Sequence, residues 1–496
     1  MTNWGSRVEA IVDAIRERAA RCPSHPALVV NASGESSARA HEIVSYGTLA
    51  ASFEAVAQRL RAEGLAPGDR CGLLARPGRR FIELALGILA ADGCLVPIPD
   101  DHRGAVFDAF ARRAHLHRVV SEHAGDFEQR AFARVEPVDG CGDEHFRALR
   151  PAYLRFTSGT TNRRKGVILG HRAILERLRA ANRALRVAPS DRILWLLPMA
   201  HHFVVSILLY LENGASVLLP SSPFAREILA FARDAAPTLA YASPQHYKLL
   251  AKDASTLGLE SLRLAISTAE GLRTDTARAF AQRFGQPLVQ ALGIIEVGLP
   301  VINLASAAAK PQALGRPLPD YEVWLRGEDG RPVVGAGSPE RTGEICIRGP
   351  GMLDAYLDPW LPRAEVLEPD GFRTGDQGFF DAEGDLQLVG RRANRICMAG
   401  MKFFGEEVEA VLDAHPKVRE SRVFAVEHAQ LGEVPCAEIA PVDAAQPPGR
   451  AELASFCREQ LPAYKIPREF RIVPSLERTP SGKLQRRGHQ RPVASQ

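Results

Sequence analysis

The run Thr157-Ser-Gly-Thr-Thr-Asn-Arg-Arg-Lys165 has the side chains of a polyphosphate cradle. Gly159 permits close backbone approach, the hydroxyls of Thr157, Ser158, Thr160 and Thr161 can bond phosphate oxygens, and Lys165 supplies a point charge. A P-loop is excluded, because the Gly-Lys-Ser/Thr ending and the helix that follows it are missing. Four more segments carry isolated chemistry. Gln290-Ala-Leu-Gly-Ile-Ile-Glu-Val-Gly298 sets one carboxylate, Glu296, just after a predicted strand. Arg373-Thr-Gly-Asp-Gln-Gly378 sets Asp376 in a predicted tight turn, Gly390-Arg391 opens a boundary segment, and Thr479-Pro-Ser-Gly-Lys483 lies close to the end of the sequence. Each alone reads equally as a cap, a turn, a solvated basic loop or a frayed tail. Their order and spacing together carry the information.

The elements that must position these residues alternate in period. Phe53, Val56, Ala57 and Leu60 fall at helical spacing, as do Ile174, Leu178, Ala181 and Leu185. Short apolar runs at 71–75, 94–98, 241–244 and 262–267 read as buried strands ending in loops. This alternation predicts mainly parallel sheets covered by helices. From about 310 the texture turns to short β segments with Gly and Pro turns, such as 321–325 and 343–347. A boundary is expected at Gly390-Arg-Arg-Ala-Asn394, followed by a turn-rich loop, a helix around Val408, Val411 and Leu412, a strand at 423–426 and a helix near 451–460. The expected division is a large α/β domain, 1–390, with a β-rich subdomain at about 310–390, and a small mobile α+β domain, 391–496.

Composition narrows the class. With 496 residues, 46% hydrophobic and 24% charged, the chain is globular and too long for one core. A net charge of +4 is too mild for a nucleic-acid partner. The eight Cys form no Cys-x-x-Cys pair, which argues against a zinc site or disulfide framework and fits a reducing compartment. The first residues lack the apolar core of a signal peptide, and the greasiest run, 203–211, is too short to span a bilayer. A cytoplasmic protein is expected.

The ordered motifs, together with Gly93-Cys-Leu-Val-Pro-Ile-Pro99, resemble the superfamily of adenylate-forming enzymes: acyl- and aryl-CoA synthetases, free-standing adenylation enzymes of nonribosomal peptide synthesis, and firefly-type luciferases. The likeness runs from Ser45-Tyr46 to Lys483. It implies a carboxylic acid attacking the α-phosphate of ATP with Mg²⁺, giving an acyl-adenylate and pyrophosphate. A phosphopantetheine thiol of CoA or of a carrier protein then displaces AMP. The first step needs charge neutralisation, which Mg²⁺ and Lys supply. Carried over by residue, the resemblance puts Thr157, Ser158, Gly159, Thr160, Thr161 and Lys165 on the β- and γ-phosphates, and Glu296 on Mg²⁺. Thr268, Ala269, Glu270 and Leu292 would face adenine, while Asp376 and Arg391 would hold the ribose. Lys483, on the mobile domain, would bridge the acid and the α-phosphate and then leave for the thiol, whose tunnel Gly400 and Lys402 would line.

The chain departs from the pattern in several places. Asn162 and Arg164 stand where Gly and Pro are usual, and Leu292 replaces an aromatic residue. Ile295 replaces a hydroxyl that would bond phosphate, a loss of roughly 1–3 kcal/mol. Ala393 stands at the hinge, where Asp or Lys is usual, and Gly405 where Pro is common. These changes leave a non-catalytic nucleotide- or acyl-binding homologue as one alternative; a luciferase-like oxygenase is another.

The acid would meet His201, His202, Phe203 and Ser206, then Ser243, then Gly293 and Ile295. His201-His-Phe203 offers no carboxylate for an α-ammonium group, so a fatty or aryl acid is expected over an α-amino acid. An ordinary packed histidine is the competing reading of His202. The basic tail Gln485-Arg-Arg-Gly-His-Gln-Arg491 reads either as a solvated terminus or as a contact for CoA phosphates or an acidic carrier protein. Oligomeric state is not legible.

Overall fold

The structure is a computed structural model that describes residues 10–31, 41–99, 102–123, 126–132, 143–157, 165–339, 341–367, 371–478 and 484–485. Its contacts divide the chain into two compact units, one holding residues up to 157, 165–322 and 348–372, the other 323–347 and 373 onward. The expected boundary at Gly390–Asn394 lies inside the second unit.

Two large sheets build the first unit. The nine-stranded sheet has a parallel centre in the order Leu288–Ile294, Leu264–Ser267, Leu239–Ala242, Arg192–Trp195, Ser216–Leu219 and Pro26–Asn31. Antiparallel strands close both edges. These central strands are short and apolar because helices cover them: Leu194, Leu218, Ala240 and Ala265 pack against Leu229, Tyr247, Leu250 and Phe280. The eight-stranded sheet places Pro151–Phe156 between Cys94–Pro97, its parallel neighbour, and Gly166–Gly170, its antiparallel one. The run from Thr157 to Lys165 thus connects an antiparallel pair. Helix His171–Leu185 then buries Ile174, Leu178, Ala181 and Leu185 at the predicted spacing.

Apart from the terminal residues Glu322, Arg348 and Phe372, the second unit holds the four-stranded sheet of Glu322–Arg326, Gly343–Arg348, Phe372–Phe380 and Leu386–Arg391. A five-stranded sheet built on the long pair Val418–His428 and Gly432–Pro441 packs Val423, Val434, Cys436 and Ile439 against Val408 and Leu412 of helix Gly405–Leu412. The α/β class with helix-covered parallel sheets, a small β-sheet and an α+β portion is as expected. Two local expectations change. The turn-rich loop after 394 is a hairpin, Arg395–Met398 with Met401–Phe404. Its tip, Ala399 and Gly400, takes left-handed φ of +50° and +82°, as a two-residue hairpin turn requires. Asp376 lies within a strand opposite Arg391 and not in a free turn. The Gly375 φ of +75° and a bulge at Gln377–Gly378 put the turn signal inside the ladder.

Candidate active site

In an open parallel sheet, ligands collect beyond the carboxyl ends of the strands, where loops replace the hydrogen-bond ladder. The expected residues of the large sheet sit there. Residues 198–206 follow strand Arg192–Trp195, Ser243 follows Leu239–Ala242, Thr268 to Glu270 follow Leu264–Ser267, and Ile295 and Glu296 follow Leu288–Ile294.

Glu296 stands in the turn between two antiparallel strands and is half-buried. Its Oε1 accepts the Tyr356 hydroxyl at 3.0 Å, and the Lys165 ammonium lies 4.6 Å from the centre of the Tyr356 ring. Burial, then the charge of Glu296, pushes the Tyr356 hydroxyl far above its ordinary pKa, so it stays a donor. Strand Ala355–Leu357 makes this meeting possible by pairing Tyr356 with Val167, two residues beyond Lys165. The two ends of the candidate phosphate loop meet: the Thr157 N–H donates to the Lys165 carbonyl at 2.9 Å, while its Oγ1 accepts the Lys165 N–H at 3.4 Å. Ser158, Gly159, Thr160, Thr161 and Lys483 lie outside the described residues, as does the basic tail beyond Gln485.

The turn bearing Glu296 is held from below by Arg177, which is 2% exposed. Its Nη1 donates to the Ile295 carbonyl at 2.8 Å and its Nε to Gly351 at 2.8 Å, and the Leu353 N–H donates to the Glu296 carbonyl at 2.7 Å. Burial lowers the Arg177 pKa to about 10, which still leaves it charged at neutral pH. One carboxylate with Oε1 held by a phenol is a donor set suited to Mg²⁺, which takes one or two carboxylates and completes its shell with phosphate oxygens and water. Among the described residues no cluster of three His, Cys, Asp or Glu could hold a metal alone.

Thr268 is buried; its Oγ1 donates to the Ala291 carbonyl at 3.2 Å and its N–H to the Ala242 carbonyl at 3.1 Å. Ala269 carries a left-handed φ of +78°, a strained state for a residue with a Cβ and one that gathers at functional sites. Leu292 and Glu270 are half-buried. Gly293 is exposed, and a Cβ there would stand 3.6 Å from Thr268 Oγ1, which places the two together.

The acid wall is only partly as expected. His202 is half-buried and meets Tyr241 edge to face at 6.5 Å; burial raises the Tyr241 pKa to about 12. The carbonyl of His201 accepts Arg155 Nη1. Ser243 Oγ is committed to His246 Nδ1 at 2.7 Å. Phe203 and Ser206, by contrast, turn inward. Phe203 packs on Phe81, and Ser206 donates to the His202 carbonyl at 2.7 Å while accepting Trp195 Nε1 at 3.1 Å. A π-helical turn over Phe203–Ile207 buries both side chains.

Within the second unit, Asp376 is buried and pairs with Arg391 Nε at 2.9 Å. Its backbone N–H donates to Thr374 Oγ1 at 3.0 Å. Gly400 is exposed at the hairpin tip, and Lys402 pairs with Glu328 at 2.8 Å. Ala393 sits in a short 3₁₀ turn. A Cβ at Gly405 would approach the Val423 carbonyl to 2.7 Å, which accounts for Gly at that position.

The model of AMP-binding enzymes matches residues 15–357, and that of the AMP-binding enzyme C-terminal domain matches residues 407–483. The chain belongs to the AMP-binding enzyme family. Among curated members, the sulfoacetate–CoA ligase of Cupriavidus necator is 31% identical over 68% of this chain and 66% of its own length, just under two thirds. The feruloyl-CoA synthase of an Amycolatopsis species is 27% identical over 89% of this chain and 92% of its own. The crystal structure of an anthranilate CoA ligase in complex with anthranoyl-AMP has a TM-score of 0.79 at 22% identity and covers 96% of both chains. Sequence reasoning missed Tyr356, Arg177 and Arg155. None stands in a motif, and an Arg in the middle of an apolar strand was the one available signal.

Proposed function

We propose that this family member is an ATP-dependent carboxylic acid ligase that makes an acyl-adenylate, releases pyrophosphate and passes the acyl group to a phosphopantetheine thiol. The observation that carries the reading is the convergence of Lys165, Tyr356 and Glu296 beside the start of the phosphate loop. Lys165 would neutralise phosphate oxygens at the site where the acid's negative charge must approach another anion. Glu296, oriented by Tyr356 and by the Arg177 bonds beneath it, would hold Mg²⁺, which supplies charge compensation to the phosphates when bound. Ser158, Gly159, Thr160 and Thr161 would complete the cradle, and Thr268, Ala269, Glu270 and Leu292 would bound the adenine. Asp376 and Arg391 would take the ribose hydroxyls, and Lys483 would bring the acid oxygen and the α-phosphate together.

The half-buried His201 and His202, with the apolar Tyr241 edge, favour an acid with no α-ammonium group. The names of the three relatives given above, two acid–CoA ligases and a CoA synthase, favour CoA as thiol over a carrier protein. Acid-dependent ATP–pyrophosphate exchange with Mg²⁺ over fatty, aryl, dicarboxylic and amino acids tests the reading. Exchange with one class of acid supports it. A folded protein that binds ATP but exchanges with none of them would falsify it in favour of a non-catalytic binding protein.

A further inference from the structure

Arg155 stands outside every expected motif, yet it puts a cation where a strand should be apolar. It shares one face of strand Pro151–Phe156 with Tyr153. The Tyr153 hydroxyl donates to the Ala200 carbonyl at 3.4 Å and Arg155 Nη1 donates to that of His201. This face therefore lies under the turn that carries His201 and His202. Among the described residues that is the only hydrogen bond of the guanidinium. Its Nε is buried without a partner, and among the described residues no carboxylate is within ion-pairing distance. The charge of Glu296 reaches it from further off. Arg177 differs, because three of its nitrogens are spent on carbonyls. A guanidinium has five N–H donors in a planar fork; Arg155 is partly exposed, its Nη1 is bonded and its Nε is buried without a partner, so an anion that reaches it completes the fork.

We propose that Arg155 binds a second acidic group of the substrate, distinct from the carboxylate that is adenylated. This rests on the ligase reading and narrows its substrate to a carboxylic acid bearing a further carboxylate or sulfonate. The reacting carboxylate is a poor candidate for the fork. Two-pronged pairing would occupy both of its oxygens and blunt it as a nucleophile. Its place is also beside Lys165 and Glu296, whereas Arg155 is anchored on the His201 side and does not pair with Glu296.

Calorimetry on the full chain with malonate, succinate and isophthalate, each beside its monomethyl ester, reads the second charge directly. At least one diacid is expected to bind about 10- to 100-fold more tightly than its ester. Arg155→Met should bring the two affinities together, and Arg155→Lys should restore part of the difference. Circular dichroism and the urea midpoint of the same variants report whether they fold, and Arg155→Lys alone serves if Arg155→Met does not. Equal affinity for every diacid and ester, or binding of neither, overturns the proposal. So does a loss that falls on ATP instead of the acid, since the anion would then be a nucleotide phosphate. Pyrophosphate exchange is scored separately. Diacid preference without exchange keeps Arg155 and sinks the ligase reading; exchange without diacid preference does the reverse.

Discussion

Tyr356 joins the two charged residues of the site through its hydroxyl and its ring. Replacing it with Phe removes the bond to Glu296 but keeps the surface beneath Lys165. A hydrogen bond to a charged group contributes about 1.5–3 kcal/mol, so Tyr356→Phe should lower kcat/KM for pyrophosphate exchange about 10- to 100-fold. Tyr356→Ala should lower it further, through loss of the cation–ring contact. An unchanged rate in Tyr356→Phe would mean that Glu296 needs no such support. Lys483 poses a different test. On the proposed reaction Lys483→Ala abolishes adenylation yet still lets a supplied acyl-adenylate react with thiol, and surviving exchange would show its role to be misassigned.

Three elements that meet only in the fold hold the turn at Glu296: helix His171–Leu185, the 351–353 segment and the end of strand Leu288–Ile294. Arg177 is the link, and Gly351 lets the chain pass close enough to be linked. Its φ is +64°, and a Cβ there would lie 2.3 Å from the Ala173 carbonyl. Arg177→Met fits the volume but leaves the Ile295 and Gly351 carbonyls buried and unbonded, at a cost of about 1–3 kcal/mol each. The expected result is a clear drop in urea midpoint together with a raised Mg²⁺ requirement for exchange. A loss of stability with no change in Mg²⁺ dependence would make Arg177 purely a packing residue.

At the scale of the molecule, His171 couples folding to acidity. It is 3% exposed, its Nδ1 accepts the Ile11 N–H at 3.4 Å, and burial lowers its pKa to about 4, with Asp92 and Asp13 opposing and Arg150 assisting. Between about pH 6.5 and 4 the unfolded chain therefore binds the extra proton, and stability falls as pH falls, by about 3 kcal/mol from this residue at most. Urea unfolding at pH 7 and pH 4.5 should show the slope, and His171→Gln should flatten it; an equal slope in both would remove His171 as the cause. The amino-acid sequence by itself determined the α/β class and membership of the family, and it singled out the run 157–165 and Glu296 as candidates. These are local patterns, with a period of two or 3.6 and short motifs whose order survives in one dimension. It misread Asp376 as a turn because Thr-Gly-Asp looks the same in a bulged strand. It could not foresee the burial of Phe203 and Ser206, because a π-helical turn shifts which side is buried without altering composition. Only the tertiary structure brought Tyr356 to Glu296 across sixty residues, set Arg177 beneath them and left Arg155 with no ion pair among the described residues. Those pairings depend on sheet order and register, which connect residues far apart in the chain and have no local signature.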